Sequence, residues 1–174
     1  MDLIPAWVDG TLRPVEKLAV HQRGLRHKAV SVFVLAGERV LVQQRAAHKY
    51  HTPNLWANTC CTHPHWEEGD LACATRRLAQ ELGITGLDLR SVGQVGYRAD
   101  VGNGLIEDEV VQIFTAQADP DLPLALNPQE VQAARWAPLA ALMAEIAAHP
   151  ARFTPWLRLY LADHRAQIFG GPDI

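Results

Sequence analysis

The sequence has little net charge and no run of lysines or arginines. Its 16 basic and 19 acidic side chains, over 174 residues, leave a formal charge of −3. A protein that binds nucleic acid or an anionic membrane surface as its main task usually carries a basic patch. The chain is therefore not expected to bind either partner, and an anionic ligand must be held by a local group of basic side chains.

The sequence also lacks long apolar stretches and cysteines that are well placed to form a disulfide. No stretch approaches the roughly 18 residues needed to span a bilayer, and residues 1–20 lack the basic and apolar segments of a signal peptide. Only three cysteines occur, and Cys60 and Cys61 are adjacent and therefore poorly placed to bridge each other. Free thiols favour a reducing, cytoplasmic setting.

The length favours a single compact domain over residues 1–174, with an N-terminal extension at 1–20 and a tail at 170–174. Apolar periodicity and turn residues predict strands at 28–35, 40–44, near 56–60, 87–98, 109–116 and 131–136, with a loop at 100–104. Helices are predicted at 71–82, at 138–148 with proline in the first turn, and at 155–169. This order predicts a mixed α/β or α+β sandwich instead of a strict βαβ array.

The helix predicted at 71–82 has a recognisable start, end and apolar face. Asp70 is a plausible N-cap, and Gly83 ends the helix. Apolar residues recur at helical spacing and predict the buried face, namely Leu71, Ala74, Leu78 and Leu82. Cys73 lies near this face and is expected to pack. In the preceding extended segment, Cys60 should point away from Cys61 and be buried.

The segment from Thr62 to Ile84 resembles the Nudix box, G-x5-E-x7-R-E-U-x-E-E-x-G-U, where U is aliphatic. The matching residues are Glu68, Arg76, Leu78, Glu81, Gly83 and Ile84. Thr62 replaces the glycine, and Arg77 and Gln80 replace two glutamates. The glutamates of the hydrolases hold Mg²⁺ against a diphosphate. Here Glu81 can still share a Mg²⁺ with a diphosphate, and Arg77 can bind phosphate oxygens, but the carboxylates that activate water are depleted.

Six further segments occur in a fixed order along the chain. They are His21-Gln22-Arg23-Gly24-Leu25-Arg26-His27, Gln44-Arg45-Ala46-Ala47-His48-Lys49, Trp56-Ala57-Asn58-Thr59-Cys60-Cys61-Thr62-His63-Pro64, Tyr97-Arg98-Ala99, Glu107-Asp108-Glu109-Val110 and Phe153-Thr154-Pro155-Trp156. Together they resemble the type I isopentenyl-diphosphate delta-isomerases over about residues 7–166. The resemblance implies a Nudix-like α/β/α sandwich. It also implies an enzyme of isoprenoid biosynthesis that interconverts isopentenyl and dimethylallyl diphosphate.

The implied reaction moves a double bond through a tertiary carbocation, so it needs an acid and a base in contact with the alkene. The resemblance assigns these two roles to Cys61 and Glu109, with Tyr97 hydrogen-bonded to the Glu109 carboxyl group. Which of the two donates first stays open. Trp156 matches the aromatic residue that faces the cation, where a π-face contributes about 2 kcal/mol or more.

A tightly bound metal is also implied. Glu107 and Glu109 are two residues apart in a predicted strand and therefore share a face, whereas Asp108 points away. The resemblance implies that both glutamates bind a divalent ion together with His21, His27 and His63. A mixed nitrogen and oxygen set suits Zn²⁺, Mn²⁺ or Fe²⁺ better than Mg²⁺.

The substrate is expected to be a small prenyl diphosphate. By resemblance, Arg45, Lys49 and Arg77 bind its diphosphate, and a separate Mg²⁺ arrives with it at Glu81. A monomer or weak homodimer is expected.

Three alternative functions stay open at this point. A Nudix diphosphohydrolase would release phosphate, although the Arg77 and Gln80 replacements disfavour it. A zinc-binding interaction module would use His21, His27, Cys61 and His63. A thiol-redox protein would use Cys60 and Cys61, which lack the two-residue spacer of a C-x-x-C motif. Four further histidines are expected to be solvated or structurally hydrogen-bonded, namely His48, His51, His65 and His164.

Overall fold

The computed structural model describes residues 2–170. Its strands are β1 (Leu3–Val8), β2 (Thr11–Glu16), β3 (Arg26–Ala36), β4 (Arg39–Arg45), β5 (Trp56–Ala57), β6 (Cys60–Thr62), β7 (Arg90–Gly102), β8 (Leu105–Gln117) and β9 (Val131–Pro138). Its helices are α1 (Lys17–Arg23), α2 (Asp70–Leu82), α3 (Leu139–Ala148), α4 (Pro155–Asp163) and α5 (Arg165–Phe169), with a 3-10 turn at Pro150–Arg152. None of the helices in this range is long and apolar enough to cross a bilayer.

Strand β3 organises the mixed sheet. It pairs parallel with β8 along its length and antiparallel with β1, β4 and β6. Because successive side chains of a strand point to opposite faces, Val30, Val32 and Val34 pack toward α2, whereas Ala29 and Phe33 pack toward α3, α4 and α5. Both faces of β3 are covered, as expected for a continuous apolar strand in a parallel pair, and the predicted α/β/α sandwich is confirmed.

Strands β7 and β8 form one long hairpin. The loop predicted at 100–104 is shorter than expected, because β7 continues to Gly102 and β8 begins at Leu105. Asn103 and Gly104 turn the chain with positive φ angles of 57° and 72°. This Asn-Gly pair suits a two-residue turn whose twist matches the flanking strands.

The predicted helix at 71–82 is present as α2, but two details of the prediction were wrong. Gly69 occupies the N-cap position and Asp70 is the first helical residue, where its carboxylate can interact favourably with the helix dipole. Leu71 is 51% exposed, because the first turn lies at the surface. The buried apolar face consists of Cys73, Ala74, Leu78 and Leu82, so the predicted packing of Cys73 is confirmed.

The end of α2 requires a glycine. Gly83 has φ of 69°, a left-handed conformation that a side chain disfavours. A Cβ atom added there would lie 2.7 Å from the Ala125 Cβ. The segment between β8 and β9, which contains Ala125, therefore packs directly against this turn.

The other helices and the N-terminal residues also differ from expectation in detail. Pro138 ends β9 and serves as the N-cap of α3 instead of lying in its first turn. The helix predicted at 155–169 is divided at His164, whose φ of −125° interrupts helical geometry. Residues 3–16 form the β1–β2 hairpin, which joins the sheet where Ala6 pairs with His27. Of the tail predicted at 170–174, only Gly170 lies among the described residues.

Glu68 and Arg76 of the Nudix box tie the segment before α2 to the helix. Arg76 donates from Nε and from a terminal nitrogen to the Glu68 carboxylate at 2.6 and 2.7 Å. The His65 backbone N–H donates to the same carboxylate at 2.9 Å. These hydrogen bonds lower the pKa of Glu68 to about 2. Glu68 is therefore structural in this chain.

We expect Glu68→Gln to reduce the free energy of unfolding at pH 7 by about 1 to 2 kcal/mol, allowing for partial solvent exposure. Because the pKa is lower in the folded protein, this stabilisation is present above the unfolded value near 4.5 and is lost as the pH falls toward about 2. Urea unfolding of both proteins across this range should give curves that converge at the acid end. Asp88→Asn, in an exposed pair with Arg90, is the control and should change stability little at either pH.

Candidate active site

One cavity is lined by most of the predicted functional residues. Every site residue predicted from the sequence lines it except His21 and His27. Those two histidines are fully buried and contact Glu107, which does line the cavity. Residues from distant parts of the sequence therefore converge as predicted.

The sheet supplies the acidic side of this cavity. Glu107 and Glu109 of β8 are 2% and 6% exposed, whereas Asp108 points to the other face and pairs with Arg98 at 3.0 Å. The predicted alternation is confirmed. Parallel pairing of β3 with β8 sets His27 beside Glu109, and antiparallel pairing with β7 sets Tyr97 opposite Glu109.

Three histidines surround one oxygen of Glu107. The Nε2 atoms of His21, His27 and His63 lie 3.3, 3.2 and 3.8 Å from Glu107 Oε2. One ligand atom from each of these four residues lies within 4.8 Å of all the others. Glu109 adjoins the group, because its Oε1 is 2.9 Å from His63 Nε2 and 3.6 Å from His27 Nε2.

The chemistry of this cluster fits a divalent metal ion. His21 and His27 donate through Nδ1–H to the backbone carbonyls of Lys17 and Leu25, so their Nε2 lone pairs are free to act as ligands. His21 Nε2 and Glu107 Oε2 are buried without a hydrogen-bond partner among the described residues. Such atoms carry a desolvation cost that a bound ion would offset.

The electrostatics of the cluster also favour a cation. Burial by itself lowers the pKa of His27, but the neighbouring carboxylates of Glu107 and Glu109 raise it to about 10. Burial likewise acts to raise the pKa of Glu107, and the three imidazoles hold it well below its usual value. The carboxylates that favour a proton on His27 also favour a metal ion, which would take the place of that proton at Nε2.

Cys61 faces the cavity at the middle of β6. Its thiol donates to Asn58 Oδ1 at 2.8 Å and lies 3.3 Å from the Ser31 hydroxyl, which is 3.1 Å from the Tyr160 hydroxyl. Burial raises the pKa of Cys61 to about 12, so the group is a thiol at neutral pH. Cys60 points away into the core and is fully buried, as predicted.

Two aromatic residues complete the apolar part of the cavity. Tyr97 is 8% exposed, and burial followed by the charge of Glu109 raises its pKa well above the usual value. Trp156 is 3% exposed, and the Arg45 guanidinium carbon lies 5.4 Å from its ring centroid. Arg45 is held in place by donating to the backbone carbonyls of His51 and Thr52.

The cavity also carries basic side chains next to Glu81. Arg77 donates to Glu81 Oε1 from its terminal nitrogen at 2.6 Å and from Nε at 3.1 Å. Gln43 donates to the other oxygen, Glu81 Oε2, at 2.8 Å. Glu81 is 4% exposed, so its carboxylate is rigidly held, and it offers the hard oxygen ligands that suit Mg²⁺. Lys49 lines the same cavity.

Several lining residues were missed by sequence reasoning, namely Lys17, Gln43, Tyr50, His51, Thr62 and Glu130. Lys17 begins α1, within the stretch that the sequence suggested to be an extension. His51 was expected to be solvated or structural, but its side chain is only 5% exposed and contacts Glu107. Thr62 stands in a matched segment, whereas no local pattern marks the other five, because tertiary packing alone brings them to the cavity.

His51 contacts the histidine cluster through the second oxygen of Glu107 and through the His21 ring. Its Nε2 lies 3.4 Å from Glu107 Oε1, and its ring stacks on His21 at 5.5 Å between centroids. Its Nδ1 is 3.0 Å from the Thr52 hydroxyl. Burial lowers the pKa of His51 to about 2, so the imidazole is neutral.

We expect His51→Ala to weaken binding of Mn²⁺ or Zn²⁺ by roughly 10- to 100-fold, the usual effect of removing a residue that orients a metal ligand. Competition with a chelating dye would measure the affinity. His48→Ala is the control, because His48 is exposed, does not line the cavity and bonds the Gln129 carbonyl. Equal metal affinities for the two variants would show that His51 does not support metal binding.

The chain is similar to known proteins along nearly its whole length. The protein-family model described as NUDIX domain matches residues 25–157. Over 169 residues the chain is 66% identical to the isopentenyl-diphosphate Delta-isomerase of Cereibacter sphaeroides, covering 97% of this chain and 96% of that protein. The chain belongs to the isopentenyl-diphosphate Delta-isomerase family, within the Nudix fold. It is also 59% identical to the isopentenyl-diphosphate Delta-isomerase of Rhodobacter capsulatus over 168 residues, covering 97% and 96% of the two chains.

Solved structures support the fold of this isopentenyl-diphosphate Delta-isomerase family member. A protein from Deinococcus radiodurans superposes with a TM-score of 0.73 at 14% identity, covering 92% of this chain and 97% of that one. A MutT NUDIX hydrolase from Burkholderia pseudomallei superposes with a TM-score of 0.62 at 20% identity, covering 78% and 95%. At such low identity these similarities establish the fold alone.

Proposed function

We propose that the protein interconverts isopentenyl and dimethylallyl diphosphate, and that Cys61 and Glu109 carry its two proton transfers. Family membership makes it an enzyme of the isopentenyl-diphosphate Delta-isomerase type. The observation that carries the assignment of roles is the convergence of Cys61, Glu109, Tyr97 and Trp156 on one cavity. An acid, a base and an aromatic face are what isomerisation through a carbocation requires.

The two residues to which we assign the proton transfers lie on different strands. Cys61 on β6 enters the reaction as a neutral thiol, because its pKa is raised to about 12, and so it holds a proton that the alkene can accept. Glu109 on β8 lies at the cavity wall with Tyr97 opposite it. We assign Glu109 to the second proton transfer and Tyr97 to holding its carboxylate in place.

Trp156 stabilises the cationic intermediate. Its ring is almost completely buried, and a π-face over a desolvated cation contributes about 2 kcal/mol or more without offering a nucleophile. Exclusion of water by the bound substrate would keep the cation from being trapped as an alcohol.

The tightly bound ion is assigned to His21, His27, His63, Glu107 and Glu109, and we propose Mn²⁺ or Zn²⁺ as its identity. Nitrogen and oxygen donors in this combination suit these metals. When bound, such an ion supplies fixed positive charge that orients the nearby carboxylates and lowers their proton affinity. Glu107 and the histidines hold this charge beside Glu109.

The diphosphate is assigned to the basic part of the cavity. Arg45, Lys49 and Arg77 provide charge-assisted hydrogen bonds, and Glu81 is available to hold Mg²⁺ that the diphosphate also ligates. Binding at this remote end anchors the substrate and can be used to orient the alkene. The remaining carboxylates are too few for the arrangement that hydrolases use to activate water, since Arg77 and Gln80 replace two glutamates of the box.

Incubation of the protein with isopentenyl diphosphate and Mg²⁺ in D₂O, followed by proton and phosphorus NMR, tests the proposal. We expect dimethylallyl signals, deuterium incorporation and an intact diphosphate. Phosphate release without movement of the double bond would instead indicate a Nudix diphosphohydrolase. No change in either spectrum after reconstitution with Mn²⁺ or Zn²⁺ would indicate a binding module.

The physiological setting follows from the same chemistry. Cys61 must stay reduced to transfer a proton, and the three cysteines are free thiols, so we propose a reducing, cytoplasmic location. We further propose that the protein acts as a monomer or weak homodimer on a small prenyl diphosphate, without a nucleic-acid or membrane partner.

A further inference from the structure

Glu130 is a carboxylate in the middle of the basic part of the cavity. It lies immediately before β9, and its two oxygens contact different cations. Oε2 accepts from Lys49 Nζ, and Oε1 is 3.2 Å from an Arg77 terminal nitrogen. Its side chain is 21% exposed, so the contacts are partly shielded from water.

The backbone holds Glu130 firmly in this position. The Glu130 N–H donates to the Asn127 carbonyl at 2.9 Å, and the Glu130 carbonyl accepts from the Ala46 N–H at 3.0 Å. Ala46 belongs to the segment that carries Lys49, and the Asn127 N–H donates to the Glu81 carbonyl at 2.9 Å at the end of α2. The turn before β9 therefore connects both elements that supply the proposed diphosphate-binding cations.

Glu81 and Glu130 share one guanidinium nitrogen. The terminal nitrogen of Arg77 is 2.6 Å from Glu81 Oε1 and 3.2 Å from Glu130 Oε1. Burial acts to raise the pKa of Glu130, but hydrogen bonding to Lys49 keeps it below the usual value, so the group is charged at neutral pH. A diphosphate bound by Lys49 and Arg77 would thus lie close to two carboxylates, which repel it unless a cation intervenes.

We propose that Glu130 is a positioning and specificity residue, which holds Lys49 and Arg77 in place and makes the site select diphosphate that carries Mg²⁺ over free diphosphate. Two carboxylates on one side of the ligand repel the bare anion and favour its Mg²⁺ complex. The inference rests on the proposed function, because it needs diphosphate to bind at these cations. It adds an acidic residue outside the Nudix box that compensates for the glutamates replaced by Arg77 and Gln80.

Calorimetric titration with inorganic pyrophosphate tests this inference without turnover. The intact protein and Glu130→Gln, each preloaded with the tight metal, are titrated with pyrophosphate in the presence of Mg²⁺, and again in buffer prepared without Mg²⁺. We expect Glu130→Gln to bind free pyrophosphate about fivefold more tightly than the intact protein does. It should bind the Mg²⁺ complex of pyrophosphate about fivefold more weakly. Effects of this size are expected when one partly shielded negative charge is removed. In steady state, KM at limiting Mg²⁺ should change more than kcat.

The controls separate this role from a merely structural one. Glu145→Gln removes a carboxylate, 35% exposed, that binds Arg135 outside the cavity, and it should change neither affinity. Glu130→Asp retains the charge and should keep the preference for the Mg²⁺ complex, even if Glu130→Gln proves unstable by thermal unfolding. An equal change in both affinities on Glu130→Gln, or loss of the preference in Glu130→Asp, overturns the inference. Failure of the unmodified protein to bind either form contradicts the proposed function itself.

Discussion

Replacement of Cys61 by alanine is expected to lower kcat by at least roughly 10³-fold, within the range of general acid–base effects, while the fold is retained. The thiol is the protonated group that β6 presents to the cavity, hydrogen-bonded by Asn58 and close to Ser31. Neither neighbour can replace it, because amide and hydroxyl groups are much weaker acids. Turnover is measured by conversion of isopentenyl diphosphate in the NMR assay.

Cys73→Ala is the matched control for Cys61→Ala. Cys73 is fully buried in α2 and does not line the cavity, so its truncation should cost about 1 kcal/mol of stability and little activity. Thermal unfolding of both variants distinguishes a catalytic loss from a folding defect. Full isomerase activity in Cys61→Ala would falsify the role given to this thiol.

Replacement of Glu107 by glutamine is expected to abolish tight metal binding and turnover together. Glu107 Oε2 is the atom on which the Nε2 atoms of His21, His27 and His63 converge, and glutamine retains its size but removes its charge. As a proposed direct ligand, Glu107 should affect metal affinity by more than the roughly 100-fold that loss of a supporting residue causes. Metal content after dialysis against a chelator, and kcat on reconstitution with Mn²⁺ or Zn²⁺, measure the two effects.

Asp108→Asn is the matched control for Glu107→Gln, since it changes the same charge one residue further along β8. Asp108 faces away from the cavity and pairs with Arg98, so metal content and turnover should be unaffected. Retention of a stoichiometric metal ion in Glu107→Gln would contradict the assigned ligand set. If Glu107→Gln lost the metal ion but kept full activity, the ion would not be required for catalysis.

The sequence determined more of the site than of the secondary-structure boundaries. Local periodicity predicted that Glu107 and Glu109 share a face, that Cys73 packs, and that Gly83 ends a helix, because these properties depend on near neighbours. It misjudged Leu71 because amphipathic spacing does not reveal where a helix turn leaves the core. It also left the β1–β2 hairpin as an unassigned extension, since its pairing with β3 is made outside that segment.

By itself, the sequence determined the family and the types of functional group, because ordered motifs and the altered Nudix box are local chemical patterns. Only the tertiary structure decided how these groups meet. Parallel pairing of β3 with β8 places His27 beside Glu109, and packing of separate segments brings His51 to Glu107 and Glu130 to Arg77. Contacts of this kind depend on strand register and on the packing of elements far apart in the chain, which local residue preferences do not specify.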